Sequence, residues 1–255
     1  NFRCLFCQNW QIAYADMASL RDRVMDLPPD QAVRLAEDGG CAGIAWTYNE
    51  PAIWLEYALA TARLAKAKGL YTVYVTNGYA TEEALDLIGP YVYRVDFKGF
   101  SPRLYKELIG VARPDGVRQV AQRAREKWRM HVEVVTNVVP GYNDDEDDLR
   151  QLTGWIRDHL GADTPWHVTR FFPHAQLAHV PPTPLATLEF ASELARSQGL
   201  SFVYLGNIAG GSGENTYCPV GGELVVARSG FRTRVVGVTA EGLCAAHGAP
   251  LNMVM

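Results

Sequence analysis

Apolar and polar positions along this chain switch repeatedly between a helical and an extended period. Ala32, Val33, Leu35 and Ala36 gather on one side behind Pro28 and Pro29, and Gly39-Gly40 closes the run, which predicts a short helix over 28–37. Residues 41–47, CAGIAWT, form an uninterrupted apolar run, the pattern of a strand buried on both faces, with Cys41 as a small buried residue inside it. Pro51 opens a longer helical pattern to Lys68. It directs Ile53, Leu55, Ala58, Leu59, Ala62 and Leu64 inward, gathers Arg63, Lys66 and Lys68 toward the negative end of the dipole, and is capped by Gly69.

The same alternation then recurs. Strands are predicted over 70–76, 91–97, 131–139, 166–172 and 201–206, and helices open at Thr81, at Ser101-Pro102, at Asp115, at Asn143 as cap and at Thr183. The acidic run of Asp144, Asp145, Glu146, Asp147 and Asp148 is expected to complement the dipole of the helix after Asn143 and to stay solvated. Strands alternating with helices mean stacked βαβ units and a parallel sheet. Trp10, Trp46 and Trp54 are expected to pack.

Composition narrows the class. The 255 residues are 48% hydrophobic and 20% charged with a net charge of −4, so no basic footprint for nucleic acid exists. No stretch of about 18 uncharged apolar residues is present, which argues against a membrane span. Five cysteines, an odd number, do not read as a secreted disulfide framework, and a reducing cytoplasm is expected.

The chemistry begins at the first residues, NFRCLFCQNWQ. Cys4 and Cys7 stand two residues apart, so a turn aims both sulfurs the same way; zinc, a redox pair or part of an iron–sulfur cluster all suit that spacing. Asn49-Glu50, Asn77-Gly78, Asp96 with Lys98, Asn137 and Arg170 lie at or just beyond strand C-termini, the rim where a (β/α) barrel binds its ligands. No glycine-rich nucleotide-phosphate fingerprint follows any strand.

One Cys immediately before Asn1 would complete C-x-x-x-C-x-x-C, which resembles the signature of radical S-adenosylmethionine (SAM) enzymes; the chain then reads as clipped just after its first cluster cysteine. Residues 45–51, AWTYNEP, fall where that family carries a loop holding the methionine end of SAM, with Asn49 in place of a glycine and Glu50-Pro51 matching. Residues 75–79, VTNGY, resemble the ribose-binding segment, and Asp96-Phe97-Lys98 the D-x-K of glycyl-radical activating enzymes. With residues 165–173 and 213–219, these phrases make the whole chain similar to the AmmeMemoRadiSam-system radical SAM proteins, relatives of pyruvate formate-lyase activating enzyme.

The resemblance implies an α/β fold: a partial (β/α)6 TIM-like barrel over 1–209, its first strand missing, and a short C-terminal β extension over 210–255. It implies a [4Fe-4S] cluster on Cys4 and Cys7, and SAM near Phe6, Asn49, Glu50, Thr76, Asn77, Asn137 and Arg170, with Asp96 and Lys98 on the reaction face. Reductive cleavage of SAM would yield a 5′-deoxyadenosyl radical that abstracts hydrogen. The substrate is a small molecule or a glycyl-radical-type protein, and the electron donor a flavodoxin or ferredoxin. His167 reads equally as a SAM or proton partner and as a satisfied core histidine.

Relatives of this kind often end in a rubredoxin-like knuckle. Here residues 218–222, CPVGG, and 244–248, CAAHG, keep only Cys218 and Cys244 and add His247, so zinc and a metal-free β-hairpin are both open. Two other readings of the chain remain: a zinc-binding scaffold or interaction protein, and a cluster-free barrel enzyme using Glu50, Asp96 and Lys98.

Overall fold

The structure, a computed structural model, describes residues 1–89, 92–111, 114–208 and 210–254. Tyr91, the expected start of one strand, and Ala209 and Met255, the expected last residues of the two domains, lie outside the described residues.

Six strands, β1 (Gly43–Trp46), β2 (Tyr71–Thr76), β3 (Val92–Asp96), β4 (Val132–Val138), β5 (Trp166–Arg170) and β6 (Val203–Gly206), form one sheet in sequence order. Every neighbouring pair is parallel. This is the α/β arrangement the alternating periods require, since a parallel neighbour is reached only through a crossover, which here carries helices such as Leu55–Ala67 and Asp115–Glu126. The pleat sorts β4 cleanly. Val132, Val134, Thr136 and Val138 are fully buried on one face, and Glu133 and Asn137 point to the other.

Three expectations are corrected. β1 is not buried on both faces: it ends the sheet, Ala45 is exposed and only Trp46 is deeply buried. Cys41 lies before the strand as an exposed thiol rather than inside it. In the following helix Ile53 and Leu64 face solvent at 64% and 42% exposure, because residues 51–54 form a separate 3-10 turn and the helical phase restarts at Leu55. The buried stripe is Ala58, Thr61, Ala62 and Ala65, small side chains that let the helix sit close to the sheet. Of the three tryptophans expected to pack, Trp46 is in the core, whereas Trp10 and Trp54 are part-exposed.

The acidic run also departs from expectation. Asp145, not Asn143, caps Glu146–Trp155, accepting from the Asp148 amide at 2.9 Å. Asp148 is buried rather than solvated, and its carboxylate accepts the Phe100 and Ser101 amides at 3.0 and 2.7 Å. Burial pushes its carboxyl up, against the pull of those bonds.

A second sheet of β7 (Thr216–Tyr217), β8 (Leu224–Ser229) and β9 (Arg232–Val235) is antiparallel. Its small core of Cys218, Val225, Val226, Cys244 and Leu251 includes Phe202, the residue that precedes β6. No helix among the described residues is long and apolar enough to cross a membrane.

Candidate active site

The rim at the C-terminal ends of the parallel strands collects most of the polar groups singled out by sequence. Cys4 and Cys7 sit on one turn, closed by the Cys7 amide donating to the Cys4 carbonyl at 3.2 Å. The turn is tied down on two sides. The Leu5 amide donates to the Leu108 carbonyl at 2.9 Å and the Leu5 carbonyl accepts from Gln176 at 3.0 Å. Tyr14 donates its hydroxyl to the Cys4 carbonyl. Phe6 does not line the open rim: it is 4% exposed and packs into the core beneath Lys98, whose Nζ stands 5.8 Å from the ring centroid.

Lys98 and Asp96 pair at 3.0 Å, with the lysine side chain 14% exposed. Burial alone would lower the lysine's pKa, but the charges of Asp96 and Cys4 raise it, so the ammonium is firmly held. The Cys4 thiol is pushed up by burial, partly offset by Lys98. The two shifts describe one neighbourhood, a cation placed beside the thiol turn.

Glu50 is largely committed to the scaffold. Its Oε1 accepts from the Ala52 amide at 3.1 Å and from the Thr76 hydroxyl at 2.6 Å, and its Oε2 from the Asn77 amide at 2.8 Å. Burial raises its pKa in spite of these bonds. Oε2 accepts a single hydrogen bond among the described residues and keeps one free acceptor position. Asn49 is exposed beside it. Asn9 of the cysteine loop donates to the Tyr48 carbonyl at 3.2 Å, and Asn1 bonds Asn77 at 2.6 Å and Tyr79 at 3.0 Å, so the N-terminal segment joins the loops after β1 and β2.

Asn137, the penultimate residue of β4, lies on the same face as Thr169 of β5. Its Nδ2 donates to the Thr169 hydroxyl and the Arg170 carbonyl, both at 3.1 Å, while its Oδ1 is buried with no partner. Buried polar atoms are rarely left unpaired, and this one is an unused acceptor at the rim. Asn143, read from sequence as a cap, instead holds two strand ends together: it donates to the Lys98 and Asn137 carbonyls at 2.7 and 2.9 Å and accepts from the Val139 amide. Only its place after a strand and before Asp145 hinted at this.

Two further expected site residues do not face the rim. Arg170 shares its face with Val138 and is held by the Thr183 carbonyl at 2.8 Å. His167 turns to Glu133 at 3.1 Å, stacks on Tyr204, and lines a cavity of about 450 Å³ with Tyr71, His131 and Arg228. Tyr71 and Glu133 stand at the starts of their strands, so this cavity belongs to the opposite end of the sheet. Cys218, Cys244 and His247 converge separately, on turns beside the second sheet.

The rim fits the groups the sequence resemblance implies. Among the described cysteines only Cys4 and Cys7 reach it; they share one turn, as joint ligation by soft thiolates requires, and the orphaned Asn137 Oδ1 stands ready for a ligand donor.

Comparison with known proteins agrees. Residues 1–153 match the family model described as the radical SAM superfamily. An uncharacterised protein of Methanocaldococcus jannaschii is 38% identical over 256 residues, covering 100% of this chain and 75% of that protein. The isethionate sulfite-lyase activating enzyme of Oleidesulfovibrio alaskensis is 29% identical over 133 residues, covering 51% of this chain and 42% of the enzyme. Among solved structures, a domain of pyruvate-formate lyase-activating enzyme from Bacteroides vulgatus superposes with a TM-score of 0.55 at 14% identity, over 65% of this chain and 99% of that one, a likeness of fold. With the family model spanning more than half its length and a relative aligned along all of it, this chain belongs to the radical SAM superfamily.

Proposed function

We propose that the chain acts as an activating-enzyme-like radical SAM oxidoreductase. Cys4 and Cys7 hold two irons of a [4Fe-4S] cluster, with a third thiolate supplied in addition to the described residues. The observation that carries this reading is the convergence of the thiol turn on the part-buried Asp96–Lys98 pair, with an unsatisfied Asn137 acceptor at the same rim. When bound, the cluster supplies one electron from a flavodoxin- or ferredoxin-like donor to SAM, whose carbon–sulfur cleavage gives a 5′-deoxyadenosyl radical for hydrogen abstraction.

The chain's own residues bind and orient. Asn49, the neighbouring carbonyls and the free position on Glu50 Oε2 receive the methionine ammonium, a charge-assisted contact. Thr76 and Asn77 shape the ribose side, with Glu50 fixing both. Asn137 Oδ1 accepts from the nucleoside, and Asp96 and Lys98 line the face where substrate approaches. A glycine on a protein partner, as for the activating enzymes, and a small molecule are the two substrate classes.

The test is formation of 5′-deoxyadenosine from SAM by reconstituted, anaerobically reduced protein carrying one Cys before Asn1. Cys4→Ala should abolish it, and Asn137→Ala should raise the SAM concentration needed by roughly tenfold, the equivalent of about one lost hydrogen bond. Undiminished product from Cys4→Ala would refute the reading.

A further inference from the structure

The second sheet holds a cluster of donors that the rim chemistry does not use. Cys218 and Cys244 are buried, at 3% and 1% exposure, and they open matching turns. In each turn the cysteine carbonyl accepts the amide of a left-handed glycine four residues on, Gly222 at 2.9 Å and Gly248 at 2.7 Å. Position three of the second turn is His247. The same position of the first is Gly221, and the next side chain along, Glu223, reaches back in its place.

These four side chains meet. His247 Nδ1 lies 3.7 Å from Cys218 Sγ, 3.9 Å from Cys244 Sγ and 3.1 Å from Glu223 Oε2. One ligand atom from each residue lies within 4.8 Å of all the others. An imidazole nitrogen carries one proton or one lone pair, so hydrogen bonding serves one of its three neighbours and leaves two unserved. A cation at the centre serves all four.

The spacing also fits. Zinc bonds of about 2.3 Å to sulfur and about 2.0–2.2 Å to nitrogen or oxygen give tetrahedral S···N edges of ~3.6 Å and N···O edges of ~3.4 Å. The observed separations of 3.7, 3.9 and 3.1 Å differ from these by no more than about 0.3 Å. Gly221 is what permits the approach: a Cβ there would stand 2.1 Å from His247 Cε1 and 2.5 Å from both Glu223 carboxylate oxygens.

We propose that Cys218, Glu223, Cys244 and His247 form a closed zinc site, with the Glu223 carboxylate as fourth ligand. Four protein donors leave no position for water or substrate, so the metal is structural. Two thiolates, one carboxylate and a neutral imidazole leave a single net negative charge on a Zn²⁺ complex. The thiols share their buried cluster with Phe202 beside β6 and Leu251 near the C-terminus, so the ion fixes the second sheet against the parallel one.

The test uses the full chain carrying Cys4→Ser and Cys7→Ser, which removes the other thiol pair, reduced and titrated with Co²⁺ and then Zn²⁺. The result expected is one equivalent of Co²⁺ with the visible bands of a tetrahedral complex and thiolate-to-cobalt charge transfer, displaced by one equivalent of Zn²⁺. Glu223→Ala and His247→Ala should each weaken Co²⁺ binding by at least about 100-fold, and Glu223→His, which restores a ligand, should recover it. Glu223 is exposed, so its replacement does not endanger the fold. Absence of tetrahedral Co²⁺ binding, or binding by Glu223→Ala as tight as its parent's, would overturn the proposal.

Discussion

Glu133 is a part-buried carboxylate held between two histidines. Burial alone would raise its pKa, but hydrogen bonds from His131 and His167 at 3.2 and 3.1 Å, with their charges, hold it well below the usual range. A depressed folded value adds stability that is complete above the ordinary value of 4.5 and is lost as pH falls through the folded one. Glu133→Gln should therefore be less stable than the parent at about pH 6, and the gap should begin to narrow as pH falls below the ordinary value, being smaller at about pH 3 than at about pH 6. Urea denaturation across that range checks it, and two parallel curves would contradict it. His167 thereby has a structural employment that its sequence neighbours did not reveal. A strand places alternate residues on one face, but how far along the barrel a position lies emerges only when six strands are in register.

At the level of elements, Asp148 shows how a helix terminus fixes a loop of the site. It stands in the first turn of Glu146–Trp155 and holds the amides just beyond Lys98. Asp148→Ala should cost about 1–3 kcal/mol, the penalty for leaving part-buried donors unmatched, read as a lower denaturation midpoint. The helix Leu55–Ala67 gives a paired forecast. Ala62→Leu, on the 2%-exposed stripe, should destabilise by about 1–3 kcal/mol through overpacking, whereas the exposed Leu64→Ala should stay within about 0.5 kcal/mol. A Leu64→Ala cost as large as that of Ala62→Leu would restore the phase read from sequence, which directed both residues inward. The alternation of strands and helices was legible because each run carries its own period and its own Gly, Pro or Ser/Thr stop. What was not legible depends on neighbours far along the chain. A helical phase interrupted by a 3-10 turn, an aspartate recruited by a loop 48 residues earlier, and a glutamate drawn in where Gly221 left space all need the folded arrangement.

Across the whole molecule, the two ends of the parallel sheet do different work. The C-terminal rim gathers the Asp96–Lys98 pair, Asn77 and Asn137, as their positions after strands led one to expect, together with the thiol turn, while the cavity with His131, Glu133 and His167 lies at the other end. The site was readable because a parallel α/β sheet delivers every strand terminus to one side. The Arg170 and Phe6 side chains do not face the open rim, because proximity in sequence to a rim residue does not set the direction of a side chain. A [4Fe-4S] cluster with SAM bound to it at this rim is what the proposed function requires. The most direct measurement is anaerobic electron paramagnetic resonance of the reduced, reconstituted chain carrying one Cys before Asn1, with and without SAM. A [4Fe-4S] signal that changes on adding SAM, and that disappears in Cys4→Ser and Cys7→Ser, is the result predicted. Iron-free protein, or a cluster signal indifferent to SAM, would contradict it.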